Sequence, residues 1–252
     1  MLDFDKVSFR YPGEAQPLID ELSFHVDKGE FVSIIGSSGC GKSTIFRLVN
    51  RLLTPQSGEI RVNGRNIAGQ KNYCGYMPQH DLLFPWRTVE ENVRLPLEIQ
   101  GGLSTAEMAE RTAQALKTVG LEGWGKKSPS ELSGGMRQRA AFARTVLTGS
   151  ELLLLDEPFS ALDYLTRLEL REWLLDQWQR EKKTVLFITH DVEEAVFLSG
   201  RVLAAEDRPI TSLSSSPVPL GYPRTAAAMK KPELLDLKEQ LIGRLRRGSH
   251  EE

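Results

Sequence analysis

With 252 residues, 40% of them hydrophobic, the chain is long enough for one large domain with a substantial core. Its 32 basic and 34 acidic residues leave a net charge of −2, which argues against nucleic acid or an anionic membrane surface as the main partner. No apolar run in the sequence approaches the roughly 20 residues that span a bilayer, and no basic segment followed by an apolar one opens it, so we expect neither a membrane span nor a signal peptide.

Short runs of alternating apolar and polar residues predict strands near the start of the chain. Val7–Phe9 and Leu22–Val26 have the pattern of half-buried strands. Glu59–Val62 is followed by Asn63–Gly64, which favours a hairpin, and Tyr73–Met77 predicts a further strand. Together these segments indicate a small antiparallel sheet beside a larger core.

A glycine-rich segment joins a predicted buried strand, Phe31–Ile35, to the amphipathic run Thr44–Val49, and it matches G-x-x-x-x-G-K-[ST]. The backbone N–H groups of such a loop and the positive end of the following helix suit phosphate oxygens. Lys42 would supply charge for the β- and γ-phosphates, and the Ser43 hydroxyl can ligate Mg²⁺. An ordinary Gly/Ser turn before a helix is the alternative, which the strand–helix context disfavours. The segment therefore predicts a nucleotide site, for ATP or GTP, built from Gly36, Ser37, Ser38, Gly39, Cys40, Gly41, Lys42, Ser43 and Thr44.

The two cysteines stand in the predicted phosphate loop, at Cys40, and in a predicted strand, at Cys74. A structural disulfide would tie up the loop. The cysteines therefore favour a reduced, cytosolic setting.

The middle of the chain is predicted to be helical over Thr88–Leu97, Thr105–Val119 and Ser133–Val146. Because Met108 stands three residues after Thr105, we expect no capping box at the start of the second helix. We interpret residues 84–150 as a helical subdomain inserted into the core.

Apolar strands return in the second half of the chain, at Leu152–Leu155 and Thr184–Ile188. Predicted helices follow them, at Leu165–Gln179 and from Asp191 onward. Apolar strands separated by helices are typical of a parallel sheet covered on both faces. Arg201–Ala205 is predicted to be the last strand.

The C-terminal region is predicted to be a Ser- and Pro-rich linker, Ser212–Pro223, followed by a helix with one apolar stripe. Such a stripe usually packs against its own domain, and a regulatory or dimer contact is the alternative. The stripe consists of Leu234, Leu237, Leu241, Ile242 and Leu245.

Two carboxylates, Asp156 and Glu157, follow the predicted buried strand Leu152–Leu155. Ligands of open α/β sheets lie beyond the carboxyl ends of the strands. We therefore expect Asp156 to hold Mg²⁺ opposite Ser43, and Glu157 to polarise a water for in-line attack on the γ-phosphate. A plain acidic turn is the alternative.

A third motif, Leu132–Arg139, places Ser133 where it can cap a helix whose first turn contains Gly134 and Gly135. Each glycine weakens a helix by roughly 1 kcal/mol relative to alanine, so a large group is expected to approach this backbone closely. A phosphate at the helix N-terminus is the natural candidate.

On these residues the chain resembles the ATP-binding subunits of ABC transporters over nearly its whole length. The phosphate loop resembles the Walker A motif of that family, Leu132–Gln138 its LSGGQ-type signature, and Leu152–Glu157 its Walker B motif. Four further family elements appear in order, namely Tyr11 as the adenine-stacking aromatic residue, Gln79 of the Q-loop, Ser160–Asp163 as the D-loop and His190 as the switch histidine.

The resemblance implies an α/β fold, the P-loop NTPase ABC cassette. Its mostly parallel core sheet is flanked by helices, with a small antiparallel β subdomain and an inserted helical subdomain. The expected ATPase domain covers residues 1–210, with core segments 1–83 and 151–210 and a helical subdomain at about 84–150. Residues 211–252 would form the linker and a C-terminal helical extension.

The resemblance also implies that two copies of the chain pack head to tail with ATP and Mg²⁺ between them. Catalysis would involve Glu157, His190, Gln79 and Lys42, and the metal ligands would be Ser43, Gln79 and Asp156. Tyr11 and Asp163 would also contact nucleotide. Ser133, Gly134 and Gly135 would complete the site of the opposite copy. Taken singly, three residues keep an ordinary alternative, with Tyr11 as a turn aromatic, His190 as a structural histidine and Asp163 as a helix cap.

A narrower match follows the Q-loop, where Pro85–Trp86 resembles the nitrate, sulfonate and taurine importer group, which includes thiamine-precursor importers. In that group this region meets a membrane permease, so Phe84, Pro85 and Trp86 are candidates for an exposed docking patch. The alternative is that Trp86 packs beneath the helical subdomain.

The resemblance thus implies the ATPase subunit of a bacterial ABC importer, a homodimer on the cytoplasmic face of a separate permease. An external substrate-binding protein would supply a small anion or a thiamine precursor. A P-loop kinase or GTPase, a soluble non-transport ABC ATPase and an exporter subunit are the alternatives. The first does not explain Leu132–Gln138, and one cassette with near-zero net charge disfavours the second.

Overall fold

The computed structural model describes residues 1–160 and 162–248, so Ala161, inside the predicted D-loop, and residues 249–252 lie outside the described residues. The chain forms two compact units. The first combines Met1–Lys71 with the residues from Leu174 onward, and the second is Asn72–Trp173.

Strands and helices alternate along most of the chain. The strands are β1 (Leu2–Phe9), β2 (Ile19–Val26), β3 (Phe31–Gly36), β4 (Ser57–Val62), β5 (Arg65–Asn66), β6 (Cys74–Met77), β7 (Leu152–Asp156), β8 (Thr184–Ile188), β9 (Arg201–Ala205) and β10 (Ser214–Pro217). The helices are α1 (Lys42–Val49), α2 (Val89–Gln100), α3 (Thr105–Thr118), α4 (Gly134–Val146), α5 (Tyr164–Glu181), α6 (Val192–Leu198) and α7 (Pro232–Gly248).

The first unit contains the predicted small antiparallel sheet, whose strands lie in the order β2, β1, β4, β5. The hairpin between β4 and β5 is confirmed, with Arg61 paired to Asn66 and Val62 to Arg65. Its turn residues, Asn63 and Gly64, both have positive φ, at 52° and 72°. Two-residue hairpin turns of this kind need positive φ, which explains why Asn-Gly predicts them.

The same unit contains the predicted parallel strands. β3 pairs in parallel with both β8 and β9, while β10 pairs antiparallel to β9. Every residue of β3 and β8 is buried, as expected for parallel strands covered on both faces. Because Ile34 is paired with Ile188, both strands end at the same edge, from which the phosphate loop and His190 continue.

In the second unit, β6 and β7 pair in parallel from Cys74 and Leu152 to Met77 and Leu155. The expectation that Tyr73–Met77 belongs to the small antiparallel sheet is therefore wrong. Helices α2, α3 and α4 pack against one another. The expectation that α3 lacks a capping box is wrong. Its N-cap is Ser104, one residue earlier than predicted, and Ser104 and Glu107 donate and accept reciprocally across the first turn.

The C-terminal segment differs from the predicted linker because it contains β10. A strand of serines pairs here because the ladder uses backbone groups, which every residue other than proline offers in full. In α7, Leu234, Leu237 and Leu241 are buried, while Ile242 is exposed. α7 packs against α6 and β9 within its own unit.

Across the described ranges, none of the helices combines the length and the apolar character that crossing a membrane requires.

Candidate active site

The phosphate loop runs from the buried end of β3 to the start of α1. Its glycines are required for two different structural reasons. Gly39 and Gly41 have φ of 78° and 120°, a region that favours glycine. A Cβ on Gly36 would lie 2.9 Å from Cys40 Sγ, so this glycine leaves room for a buried thiol. Ser37 and Ser38 lie exposed on the loop.

Lys42 spans the phosphate loop with its buried side chain. Its Nζ donates to the carbonyl oxygens of Gly36, at 2.9 Å, and Ser37, at 2.8 Å. The N-cap of α1 is Gly41, and within the described residues no side chain caps that end of the helix. A helix N-terminus of this kind, beside an ammonium group, fits a phosphate.

The oxygen donors predicted for Mg²⁺ also fit that ion chemically. Ser43 offers a hydroxyl in the first turn of α1, and Asp156 offers a carboxylate at the end of β7. Mg²⁺ prefers oxygen ligands of this type, one or two of them from the protein and the rest from water and phosphate.

Tyr11 lies beside the first turn of α1, which local sequence alone did not establish. Its hydroxyl is 3.1 Å from Thr44 Oγ1 and accepts a hydrogen bond from Arg47 Nη1 at 3.1 Å. Its ring packs edge-on against Phe9, with centroids 4.9 Å apart. The aromatic residue predicted to meet adenine is therefore held next to the predicted phosphate loop.

Asp156, Glu157 and Gln79 come together in the second unit. The parallel register of β6 and β7 carries Gln79 and Glu157 out at corresponding positions, and Gln79 Nε2 donates to Glu157 Oε2 at 3.3 Å. Asp156 is buried and accepts from the hydroxyl of Tyr76 at 3.3 Å. Tyr76 belongs to none of the sequence motifs, although its place in β6, three residues before Gln79, is a usable signal.

Glu157 has a backbone conformation unusual for a non-glycine residue, with φ of 45°. Such conformations cost free energy, persist where the surroundings impose them, and cluster at active sites. This backbone supports a functional role for Glu157.

The signature helix α4 begins as predicted, with Ser133 Oγ accepting from the N–H of Met136 at 3.3 Å. A contact within the same unit also requires glycine at position 135. A Cβ at this buried position would lie 2.5 Å from Cγ2 of Thr166, in the first turn of α5. The group that approaches Gly135 in this structure is therefore a threonine methyl of the same unit.

This contact predicts that the effect of Gly135→Ala on the free energy of unfolding depends on the methyl group of Thr166. A double-mutant cycle measures that dependence. Gly135→Ala should lower the free energy of unfolding, because overpacking costs about 1–3 kcal/mol, more than the roughly 1 kcal/mol that alanine gains in helix propensity. In a Thr166→Ser background the methyl is gone, and the same substitution should be neutral or stabilising. Urea denaturation of the four proteins measures both steps. An equal loss in both backgrounds would show that Thr166 is not the cause.

Asp163 caps α5, which is the ordinary alternative stated for it. Its Oδ1 accepts from the N–H of Thr166 at 3.1 Å, and hydrogen bonding from Thr166 lowers the pKa of the Asp163 carboxyl. Its predicted contact with nucleotide remains a prediction.

Basic residues of α4 hold the segment that follows Gln79, a feature that the sequence analysis missed. Arg137 Nε pairs with Asp81 Oδ2 at 3.0 Å, and Arg144 Nη1 donates to the carbonyl of Leu82 at 2.8 Å. Burial lowers the pKa of Arg144. The available signal was the spacing of seven between the two arginines, which places them on one helix face.

The alternative that Trp86 packs beneath the helical subdomain is wrong, because the residue is 77% exposed. Its ring stacks on Phe84 with centroids 5.0 Å apart, and Leu82 is also exposed. Phe84, Pro85 and Trp86 form what we call the aromatic patch.

The chain is similar to known proteins over most of its length. A sequence profile described as ABC transporter matches residues 19–160, more than half of the chain. The chain is 45% identical to the formylaminopyrimidine import ATP-binding protein ThiZ of Halalkalibacterium halodurans over 233 residues, which cover 92% of this chain and 90% of that protein. It is 46% identical to the nitrate import ATP-binding protein NrtD of Synechocystis sp. over 193 residues, covering 77% and 72%.

Among solved structures, the fold is similar to that of the ATP-binding cassette MJ0796 in a dimeric post-hydrolysis state bound to ADP and Pi. The TM-score is 0.76 at 28% identity, and the match covers 88% of this chain and 100% of that one.

Proposed function

The chain belongs to the ABC transporter family of ATPases, and on this basis we propose that it is the ATP-hydrolysing subunit of a bacterial importer. It works as a homodimer on the cytoplasmic face of the membrane, bound to a separate permease, with a substrate-binding protein acting upstream. The observation that supports docking is the exposed aromatic patch, which begins five residues after Gln79 in the sequence.

We assign the chemical steps to the residues as follows. Lys42 and the loop backbone bind the phosphates, and Tyr11 stacks on adenine. Ser43, Asp156 and Gln79 would hold Mg²⁺, which would supply positive charge to neutralise the phosphates. Glu157 accepts a proton from the attacking water, and the Gln79 amide holds its carboxylate. His190 contacts the γ-phosphate.

The remaining contacts come from a second copy. Ser133, Gly134 and Gly135 of that copy complete each site, and Asp163 adds a contact to nucleotide. A single chain therefore holds only part of each site and should hydrolyse ATP poorly as a monomer. Loss of the γ-phosphate then removes a bridge between the copies and lets them separate.

The transported solute is a small molecule that the ATPase does not touch. ThiZ and NrtD are named for formylaminopyrimidine and nitrate import, so we propose a nitrate-, sulfonate- or taurine-like anion or a thiamine precursor.

The aromatic patch supplies the test. The tagged chain is purified from solubilised native membranes with ATP and Mg²⁺, and co-purifying proteins are identified by mass spectrometry. We expect a multi-span membrane protein, and we expect Trp86→Ala to weaken its binding by about 30-fold, as loss of a central tryptophan does. ATP hydrolysis by the isolated variant should be unchanged.

The matched control is Trp124→Ala, which removes a partly exposed tryptophan from the same unit and should leave capture unchanged. Recovery of ribosomal or DNA-repair proteins alone would favour a soluble ABC ATPase. Capture that survives Trp86→Ala would place the permease contact elsewhere.

A further inference from the structure

The turn that presents His190 is fixed to the start of α6. Thr189 Oγ1 donates to Glu194 Oε2 at 2.6 Å and accepts from the N–H of Asp191 at 3.0 Å. Asp191 caps the helix by accepting from the N–H of Glu193 at 2.7 Å. The position of His190 therefore depends on the position of the first turn of α6.

α6 itself depends on its neighbours for its position. It has only seven residues, too few for a helix to be stable in isolation. Six of its seven residues are buried, Phe197 among them, and Glu193 in its first turn is the one that stays partly exposed and open to a polar contact from another element.

Residues from the C-terminal segment hold the far end of α6. Arg224 Nη1 donates to the carbonyls of Val196 and Ser199, both at 2.7 Å, and the hydroxyl of Tyr222 donates to the carbonyl of Leu198 at 2.8 Å. A cation at the carbonyl end of a helix is favourable, because that end carries partial negative charge.

α7 holds the near end. Lys238 Nζ pairs with Glu193 Oε2 at 3.0 Å, in the first turn of α6. Lys238 is fixed in place because Leu234 and Leu241, on the same helix, are fully buried. The C-terminal segment therefore contacts α6 at both ends.

We propose that α7 is a positioning element for His190, acting through the ion pair between Lys238 and Glu193. The proposal rests on the function proposed for His190. α7 then influences the rate of ATP hydrolysis without contacting nucleotide, so a protein or ligand that displaces α7 would slow the ATPase.

The test is a charge-reversal series on the full chain, with kcat and KM for ATP as readouts. Lys238→Glu should lower kcat about tenfold, because small misplacements of catalytic groups cost up to ~100-fold in rate. KM and Tm should hardly change, because a partly exposed ion pair contributes little to stability. Glu193→Lys combined with Lys238→Glu should recover most of the rate, and Lys238→Arg should retain it.

Lys231→Glu is the matched control, since it makes the same charge change at an exposed lysine just before α7 and should leave kcat unchanged. A wild-type kcat in Lys238→Glu, or a double variant no better than the single ones, overturns the proposal. His190→Ala tests the role proposed for His190 by itself. Wild-type hydrolysis in that variant would contradict the proposed function, whereas a loss of hydrolysis there, with a wild-type kcat in Lys238→Glu, would contradict only the role of α7.

Discussion

Replacing Glu157 with glutamine should lower the rate of ATP hydrolysis by about 10²- to 10³-fold, the usual contribution of a general base. The substitution keeps the shape of the side chain but removes the carboxylate that accepts the proton. The Gln79 amide, now 3.3 Å from Glu157 Oε2, can still meet the new side-chain oxygen. ATP binding should therefore be retained, and the ATP-bound dimer should accumulate.

Hydrolysis is measured by phosphate release, and the dimer by light scattering after size exclusion with ATP and Mg²⁺. Glu151→Gln is the control, because it makes the same change just before β7, at the opposite end of that strand from Glu157. A Glu157→Gln variant that stays monomeric with ATP and Mg²⁺ would contradict the head-to-tail dimer. One that keeps half of the wild-type rate would show that another group accepts the proton.

Arg224→Met should lower the free energy of unfolding by about 3 kcal/mol, since a buried charged donor to several backbone carbonyls is lost. The side chain is 5% exposed, and it bonds the carbonyls of Leu220, Val196, Phe197 and Ser199. Methionine keeps most of the volume but leaves these acceptors without their donor. For a domain of marginal stability this is a large fraction of the total.

Urea denaturation followed by circular dichroism gives the measurement. Tyr222→Phe removes one hydrogen bond from the same cluster and should cost about 1 kcal/mol, so it reports on the cluster even if Arg224→Met fails to fold. Arg246→Met, on the exposed face of α7, should stay within about 0.5 kcal/mol of wild type. Equal stability of the Arg224→Met and Arg246→Met variants would contradict the stabilising role that we assign to the hydrogen bonds of Arg224.

The elements of the candidate site were predictable from sequence because each depends on neighbours along the chain. The apolar run Phe31–Ile35 predicts a buried strand, and the glycines after it permit the positive φ observed at Gly39 and Gly41. Ser133 caps α4 through the N–H of Met136, a contact within one helical turn. The family resemblance rests on motifs of this local kind.

Two predictions differ from the structure by one or a few residues, one at the start of α3 and the other at β10. Ser104 and Thr105 can both cap a helix, and only the reciprocal bonds with Glu107 select Ser104. Ser214–Pro217 has the composition of a linker, yet its backbone completes a ladder with β9. Composition does not reveal such a partner strand.

The sequence by itself determined the family, the phosphate loop and the order of strands and helices as far as β9, because chain neighbours decide these features. Only the tertiary structure decided which residues far apart in sequence meet. It placed Thr166 against Gly135, paired Arg137 with Asp81, exposed Trp86 and brought Lys238 to Glu193. Such contacts depend on how whole elements pack, and the residue pattern of one segment does not identify the distant residues that it will contact.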